Sequence, residues 1–296
     1  MASLRDIRRR IKSVKNTRQI TRAMQLVAAS KMKRAQDSAL AGRGYTLLLA
    51  DILNSVLPHI GEIEHPLLQE RPVRKRGILV VSTDKGLCGP LNGNLFREIG
   101  NIRDDAAFVS VGRKGRQYLG RTRRELLADF TVGDNVAFRE VRPVVEFLIQ
   151  AYEEGTIDTV EVLYSSFVNT LRQEPVLARM LPLDGLEDLT EKVRKIGKTG
   201  EEHPAPPKDP REMKFEPSPE AVLHELPALF VKQEIYQILL EAKASEHSAR
   251  MVAMKAASDN ASNLVDDLSL EYNKARQAAI TQEILEISAA ASADTV

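Results

Sequence analysis

The hydrophobic pattern of this sequence is most regular at its C-terminal end, where the chain has neither glycine nor proline after Pro227 as far as Val296. Apolar or small residues recur there with 3-4 spacing, and they are Met251, Met254, Ser258, Ala261, Val265, Leu268, Tyr272, Ala275 and Ala279. This pattern predicts one continuous helix of roughly 100 Å. One helix cannot bury such a stripe alone, so the pattern also predicts a partner helix packed as in a coiled coil.

The N-terminal end provides a candidate for that partner helix. Residues 3 to 57 contain no proline, and a stripe with 3-4 spacing runs through Leu4, Ile7, Ile11, Val14, Arg18, Thr21, Gln25, Ala28, Met32, Ala35 and Ala39. The middle of this stripe is polar, and a second apolar stripe begins there with Ile20, Met24 and Val27. We expect the helix to change its contacting face near Arg18 or to meet more than one partner. Paired with the C-terminal helix, it gives a long antiparallel coiled coil.

The middle of the chain alternates short apolar runs with helical segments. The runs that predict strands are residues 77–82, 107–111, 159–167 and 174–183, and the predicted helices are 95–102, 113–119 and 136–154. Strands that alternate with helices favour a parallel, Rossmann-like sheet, and the prolines around the last run place that strand at the sheet edge.

These patterns together predict the α/β fold class, with a long coiled coil of the end helices and a central Rossmann-like domain. Five segments follow from them: an N-terminal helix at 1–57, a connector at 58–76, the α/β domain at 77–195, a Pro-rich linker at 196–219 and a C-terminal helix at 220–296.

Composition narrows the function classes. The chain has 42 basic and 41 acidic residues, which argues weakly against a dedicated nucleic-acid binder. The single cysteine, Cys88, excludes an intrachain disulfide, and we expect it to be buried. The five histidines lack metal-ligand spacing, so we expect neither a metal nor a cofactor. The basic N-terminal segment continues into a helix without a cleavable break, which favours mature protein in the bacterial cytoplasm.

The most conspicuous motif is the glycine-rich segment from Thr83 to Gly93. It follows a predicted strand and precedes a helix, where α/β proteins bind phosphates, but it matches neither the Walker nor the dinucleotide pattern. We interpret it as a structural turn or a docking surface, and Asp84 with Lys85 lacks the neighbours that would complete an acid–base site. An enzyme that binds a phosphorylated ligand at this loop is one alternative.

A basic face on the N-terminal helix supports a second alternative. Its members are Arg8, Arg9, Arg10, Lys12, Lys15, Arg18, Arg22, Lys31, Lys33 and Arg34. Such a face can contact acidic proteins or nucleic acid, although no interleaved aromatic residues are present for base stacking. A coiled-coil arm that binds nucleic acid therefore stays open at this point.

Three motifs resemble those of the gamma subunit of F-type ATP synthases. Residues 10–32 are similar to the family's N-terminal helix, and residues 84–89 are similar to its signature after the first strand. The C-terminal helix resembles the family at residues 245–255, 259–261, 272–278 and 280–284. The motifs occur in the family's order and extend over the whole chain.

The resemblance implies a non-catalytic rotor. In the family, the two long helices form a shaft inside a ring of three alpha and three beta subunits. The α/β domain sits at the base against the epsilon subunit and the membrane c-ring, so the chain is expected to be peripheral at the cytoplasmic face of the bacterial inner membrane. Proton flow turns the c-ring and the shaft, and the shaft's asymmetry changes nucleotide affinity at the beta sites. No nucleic acid and no disulfide partner are expected.

The resemblance also implies contact residues. Met24 and Arg250 match positions that face the acidic helix-turn-helix segments of beta. Four further residues match upper-shaft positions near the ring's bearing, and they are Gln277, Thr281, Glu283 and Glu286.

Overall fold

The computed structural model describes residues 4–56, 65–183 and 219–293. They form five helices, α1 Leu4–Val56, α2 Leu91–Asn101, α3 Arg113–Arg121, α4 Phe138–Glu153 and α5 Pro219–Ala293. The described strands are β1 Arg76–Val81, β2 Ala106–Val111, β3 Leu126–Phe130, β4 Thr159–Phe167 and β5 Gln173–Leu181. The chain divides into two compact units, Met1–Val27 with Met251–Val296, and Ala28–Arg250.

The first unit pairs the start of α1 with the second half of α5 along the predicted stripes. On α1, Ile7 and Thr21 are buried, and on α5 the buried stripe residues are Met254, Ser258, Ala261, Val265 and Leu268. Arg18 donates from Nη1 to Ser262 Oγ at 3.3 Å, which joins the two helices at the polar part of the stripe. The Thr21 hydroxyl donates to carbonyl oxygens of its own helix, so its burial leaves no unpaired donor.

The second apolar stripe of α1 is not buried within the described chain. Ile20 is 60% exposed and Val27 is 55% exposed, whereas Thr21 and Ala28 of the first stripe are buried. The expectation that α1 changes its contacting face near Arg18 is therefore wrong, because the first stripe remains the buried one. The exposed stripe agrees with the alternative that α1 has a second partner.

The second unit contains the rest of α1 and the first part of α5, which run antiparallel. Gln233 Nε2 donates to Thr46 Oγ1 at 3.4 Å, and a Cβ on Gly42 would lie 2.1 Å from Gln237 Nε2. Gly42 thus lies against Gln237 and Thr46 lies against Gln233, so residue numbers fall along α5 as they rise along α1. A glycine at position 42 lets the Gln237 side chain lie directly against the α1 backbone. The predicted α/β fold with an antiparallel helix pair is confirmed.

The sheet has the strand order β3-β2-β1-β4-β5. β1 pairs in parallel with β2 and β4, and β3 pairs in parallel with β2. The expectation of a parallel sheet is wrong for β5, which pairs antiparallel with β4 at the predicted edge. The cause is the short connection at residues 168–172, because a connection of that length permits only a hairpin.

Several element boundaries differ from the sequence-based prediction. β3 was not predicted, since it is a short edge strand without fully buried residues. Helix α2 begins at Leu91, and α5 begins at Pro219 and includes Pro227 in its interior. The proposed linker at 196–219 lies almost wholly outside the described residues, and the five-segment division stays a prediction.

Two apolar clusters cover the faces of the sheet. On one face, α4 and α5 pack on β1 and β4 through residues such as Val144, Leu148, Phe230 and Leu239. On the other face, α2 and α3 pack on β1 and β2 through Leu95, Ile99, Leu119, Ile78 and Phe108. No helix in the described part of the chain is long and apolar enough to cross a membrane.

Candidate functional site

The loop between β1 and α2, residues 82–90, packs against the loop that follows β2. The Ser82 hydroxyl donates toward the carbonyl oxygens of Val111 at 3.1 Å and Gly112 at 3.2 Å, and it accepts from the Gly115 N–H at 2.7 Å. Gly112 has φ +98°, and a Cβ there would lie 2.3 Å from the Ser82 carbonyl oxygen. Only glycine fits such a backbone at such a distance, so the two loops hold each other closely.

The N-terminus of α3 is already occupied by this loop. Asp84 Oδ1 accepts from the Arg113 N–H at 3.1 Å, and the Thr83 carbonyl accepts from the Lys114 N–H at 3.0 Å. A phosphate bound at a helix N-terminus needs such N–H groups to be free. A neighbouring cavity of about 10 Å³ holds no more than one water molecule. The N-terminus of α3 therefore offers no free N–H groups at Arg113 and Lys114 for a phosphorylated ligand.

Three charged side chains of α5 form a buried ladder beside the same loop. Lys243 Nζ lies 3.2 Å from Glu246 Oε2, and Arg250 Nη2 lies 2.8 Å from Glu246 Oε1. One carboxylate thus pairs with two cations, which matters because an unpaired charge is costly to bury. Arg250 also donates to the carbonyl oxygens of Lys85 at 3.3 Å and Gly86 at 3.4 Å.

His247 completes the surroundings of the Arg250 guanidinium. Its Nδ1 lies 3.3 Å from Arg250 Nη1. Burial lowers the pKa of His247 to about 4. The negative charge of Glu246 opposes this effect, and the positive charge of Arg250 adds to it. The imidazole is therefore neutral near pH 7, and its Nδ1 can accept a hydrogen bond from the guanidinium.

Cys88 belongs to this loop, and its side chain is buried, as predicted. Its side chain packs with Leu91 and Ala249, and Asn92 Nδ2 donates to its Sγ at 3.4 Å. Burial raises the pKa of the Cys88 thiol, although the positive charge of Arg250 partly opposes this effect. Burial and the raised pKa both disfavour the reactive thiolate in the folded chain.

The other predicted contact residues lie on the two long helices. Met24 is half-buried on α1, between the exposed residues Ile20 and Val27. The upper-shaft residues of α5 are exposed, and they are Gln277, Thr281, Glu283 and Glu286. Glu286 accepts a hydrogen bond from Gln282 Nε2 at 3.1 Å. Exposure leaves these side chains accessible to a partner, and their roles stay predictions.

Sequence reasoning missed Lys243 and Glu246, which form the ladder with Arg250. Their spacing of three and four residues was a readable signal, since such pairs face each other on a helix. Nothing in the sequence indicated that the pair is buried. In the described ranges, no group of three or more His, Cys, Asp or Glu side chains is placed to hold a metal ion.

Comparison with known proteins gives consistent matches over nearly the full length. The family described as ATP synthase matches residues 3–293. A relative from Opitutus terrae named ATP synthase gamma chain is 56% identical over 290 residues, which are 98% of this chain and 98% of that protein.

Two solved structures have a similar fold. The rotor of the Euglena gracilis mitochondrial ATP synthase has a TM-score of 0.66 at 17% identity and covers 94% of this chain and 98% of its own. A chain from the OSCP/F1/c-ring structure of the same enzyme has a TM-score of 0.67 at 17% identity and covers 98% of this chain and 94% of its own.

Proposed function

Because this chain belongs to the ATP synthase gamma-chain family and is a central-stalk subunit of that enzyme, we propose that it transmits rotation between the membrane c-ring and the beta subunits. The main support for this function is the family match from residue 3 to residue 293, which includes both long helices as well as the α/β domain. These relatives do not support the alternative that the chain is a coiled-coil arm that binds nucleic acid.

The mechanism that we propose is differential contact. The shaft is not symmetric about its axis, so each orientation offers different side chains to each beta subunit. Contacts that favour one beta conformation over another shift the population of that conformation and thus its nucleotide affinity. Contacts that were equal in every orientation would not shift the population of any beta conformation, whatever their strength.

Exposed apolar side chains on both long helices support such contacts. On α1 they are Ile20, Leu26 and Val27, and on α5 they include Ile280, Ile284 and Ile287. The α5 set has the spacing of one helical face. Exposed apolar groups of this kind typically mark surfaces that meet another protein.

The finer assignments follow from family membership. We place the paired helices within a ring of alpha and beta subunits and the α/β domain against the epsilon subunit and the c-ring. The location is then peripheral, at the cytoplasmic face of a bacterial inner membrane. Met24 and Arg250 act toward the acidic segment of beta, and the exposed α5 residues Gln277, Thr281, Glu283 and Glu286 act near the bearing of the ring.

Reconstitution tests this function. The full chain is mixed with ATP synthase alpha and beta subunits, and the products are separated by size before ATP hydrolysis is measured. We expect one complex that contains all three chains and hydrolyses ATP. If the chain neither co-purifies with alpha and beta nor restores hydrolysis, the proposed function is wrong.

A further inference from the structure

Arg250 is oriented toward its own chain. Its side chain is 11% exposed, and Nη2 bonds to Glu246 while both Nη2 and Nε donate to the Gly86 carbonyl oxygen. Nη2 also donates to the Lys85 carbonyl oxygen. Nε carries one N–H and Nη2 carries two, so the guanidinium has three donors for these three acceptor oxygens when Nε serves Gly86.

The loop that receives these bonds has an uncommon backbone. Leu87 has φ +62° and Gly89 has φ +58°. A leucine in the left-handed region is strained, and such strain persists only where the surroundings hold it. Leu87 is nevertheless 61% exposed, so its own side chain does not fix the loop.

The remaining fixed points of the loop lie in the α/β domain. Asp84 is bound to the Arg113 N–H, and the Thr83 hydroxyl donates to the Lys85 carbonyl at 2.8 Å. Arg250 adds hydrogen bonds from α5, across 164 residues of sequence. The loop is therefore tied both to the sheet and to the long helix.

We propose that Arg250 is a positioning residue. Its guanidinium fork holds the carbonyls of Lys85 and Gly86 and so fixes the loop at residues 84–89. The fixed loop in turn supports the coupling of proton pumping to ATP hydrolysis. The effect of Arg250 on coupling rests on the proposed function, but its hold on the loop does not. Glu246 pairs with both Arg250 and Lys243, so these three side chains together keep one positive charge.

Cys88 reports on this loop, because it is the only cysteine of the chain and is a buried residue of the loop itself. The assembled complex is treated with N-ethylmaleimide. The alkylation rate of Cys88 is measured by mass spectrometry of the peptide that contains this residue. The variants are Arg250→Ala and Arg250→Lys. Lys255→Ala is the matched control, since it removes one positive charge from an exposed position on the same helix.

We expect Arg250→Ala and Arg250→Lys each to increase the alkylation rate of Cys88 about ten- to hundredfold, as the loss of hydrogen bonds to a charged donor lets the loop open. The control should leave the rate unchanged. Loss of the Arg250 charge would by itself raise the thiol pKa and slow alkylation. Faster alkylation in Arg250→Ala can therefore come only from exposure.

Arg250→Lys separates the fork from the charge, because lysine keeps the charge but cannot reproduce the fork. Both Arg250 variants should lower proton pumping per ATP hydrolysed in membrane vesicles, whereas Lys255→Ala should not. Wild-type alkylation and coupling in Arg250→Lys would overturn the proposal, as would unchanged alkylation in Arg250→Ala.

If Arg250→Ala does not assemble, Arg250→Lys carries the test. Failure of the unmodified chain to assemble would instead contradict the proposed function, and Cys88 alkylation would still be measurable in the full chain.

Discussion

Replacing Ile7 by alanine tests whether the predicted stripe holds the two long helices together. Ile7 is 2% exposed on α1, within the unit that pairs Met1–Val27 with Met251–Val296. Removal of a buried isoleucine side chain costs about 2–5 kcal/mol, and the lower part of that range applies where neighbours can close the gap. A two-helix seam has solvent on both sides, so we expect a loss of about 2–3 kcal/mol.

Ile20→Ala is the matched control, because it makes the same chemical change on the same helix at a side chain that is 60% exposed. We expect it to change stability by less than about 0.5 kcal/mol in the isolated chain. The effect of alanine on helix propensity is shared by both variants and cancels in the comparison.

Amide hydrogen exchange of α1 and α5 measures the difference. A factor of ten corresponds to about 1.4 kcal/mol, so a loss of about 2–3 kcal/mol predicts exchange about 30- to 150-fold faster in Ile7→Ala near the N-terminus of α1. Ile20→Ala should exchange at the wild-type rate. Equal acceleration in the two variants, or none in Ile7→Ala, would refute the pairing through the first stripe.

Three further changes test other parts of the account. Gly77→Ala places a Cβ 2.4 Å from Ile157 Cδ1 and 2.7 Å from the Thr159 carbonyl oxygen, so urea denaturation should show a loss of about 1–3 kcal/mol; wild-type stability would contradict that contact. Burial raises the pKa of Glu241 above its usual 4.5, so the wild type should lose stability relative to Glu241→Gln as the pH rises above 4.5 through the folded pKa; a pH-independent difference between the two would argue against the shift. Met24→Lys should leave assembly intact and lower proton pumping per ATP hydrolysed, because the proposed contact of Met24 with beta would then bring a cation to the acidic segment; unchanged pumping would count against that contact.

The long helices could be predicted from the sequence because their signal is local. The stripe from Met251 to Ala279 repeats with one period, and its central residues are buried as predicted. The strands β1, β2 and β4 could also be predicted, since each contains several apolar residues within a short run. β3 escaped prediction because an edge strand with an internal charge, Asp129, resembles a loop.

The arrangement around Arg250 could not be predicted, because it depends on distant contacts. The residues that bind its guanidinium include two backbone carbonyls more than 160 positions away, and a backbone acceptor has no side-chain signature. The polar residues Gln237, Glu241 and His247 resemble an exposed helix face in the sequence, yet all three are buried. Their burial follows from the packing of α5 within the unit Ala28–Arg250.

Observation of rotation tests the central claim most directly. The chain, with a bead attached through a cysteine introduced at exposed Arg97, is assembled with alpha and beta subunits that are fixed to a surface. Cys88 is buried and does not compete for the attachment. The account predicts that the bead turns continuously in one direction when ATP is supplied and stops when ATP is removed. A complex that hydrolyses ATP while this chain stays still relative to alpha and beta would contradict it.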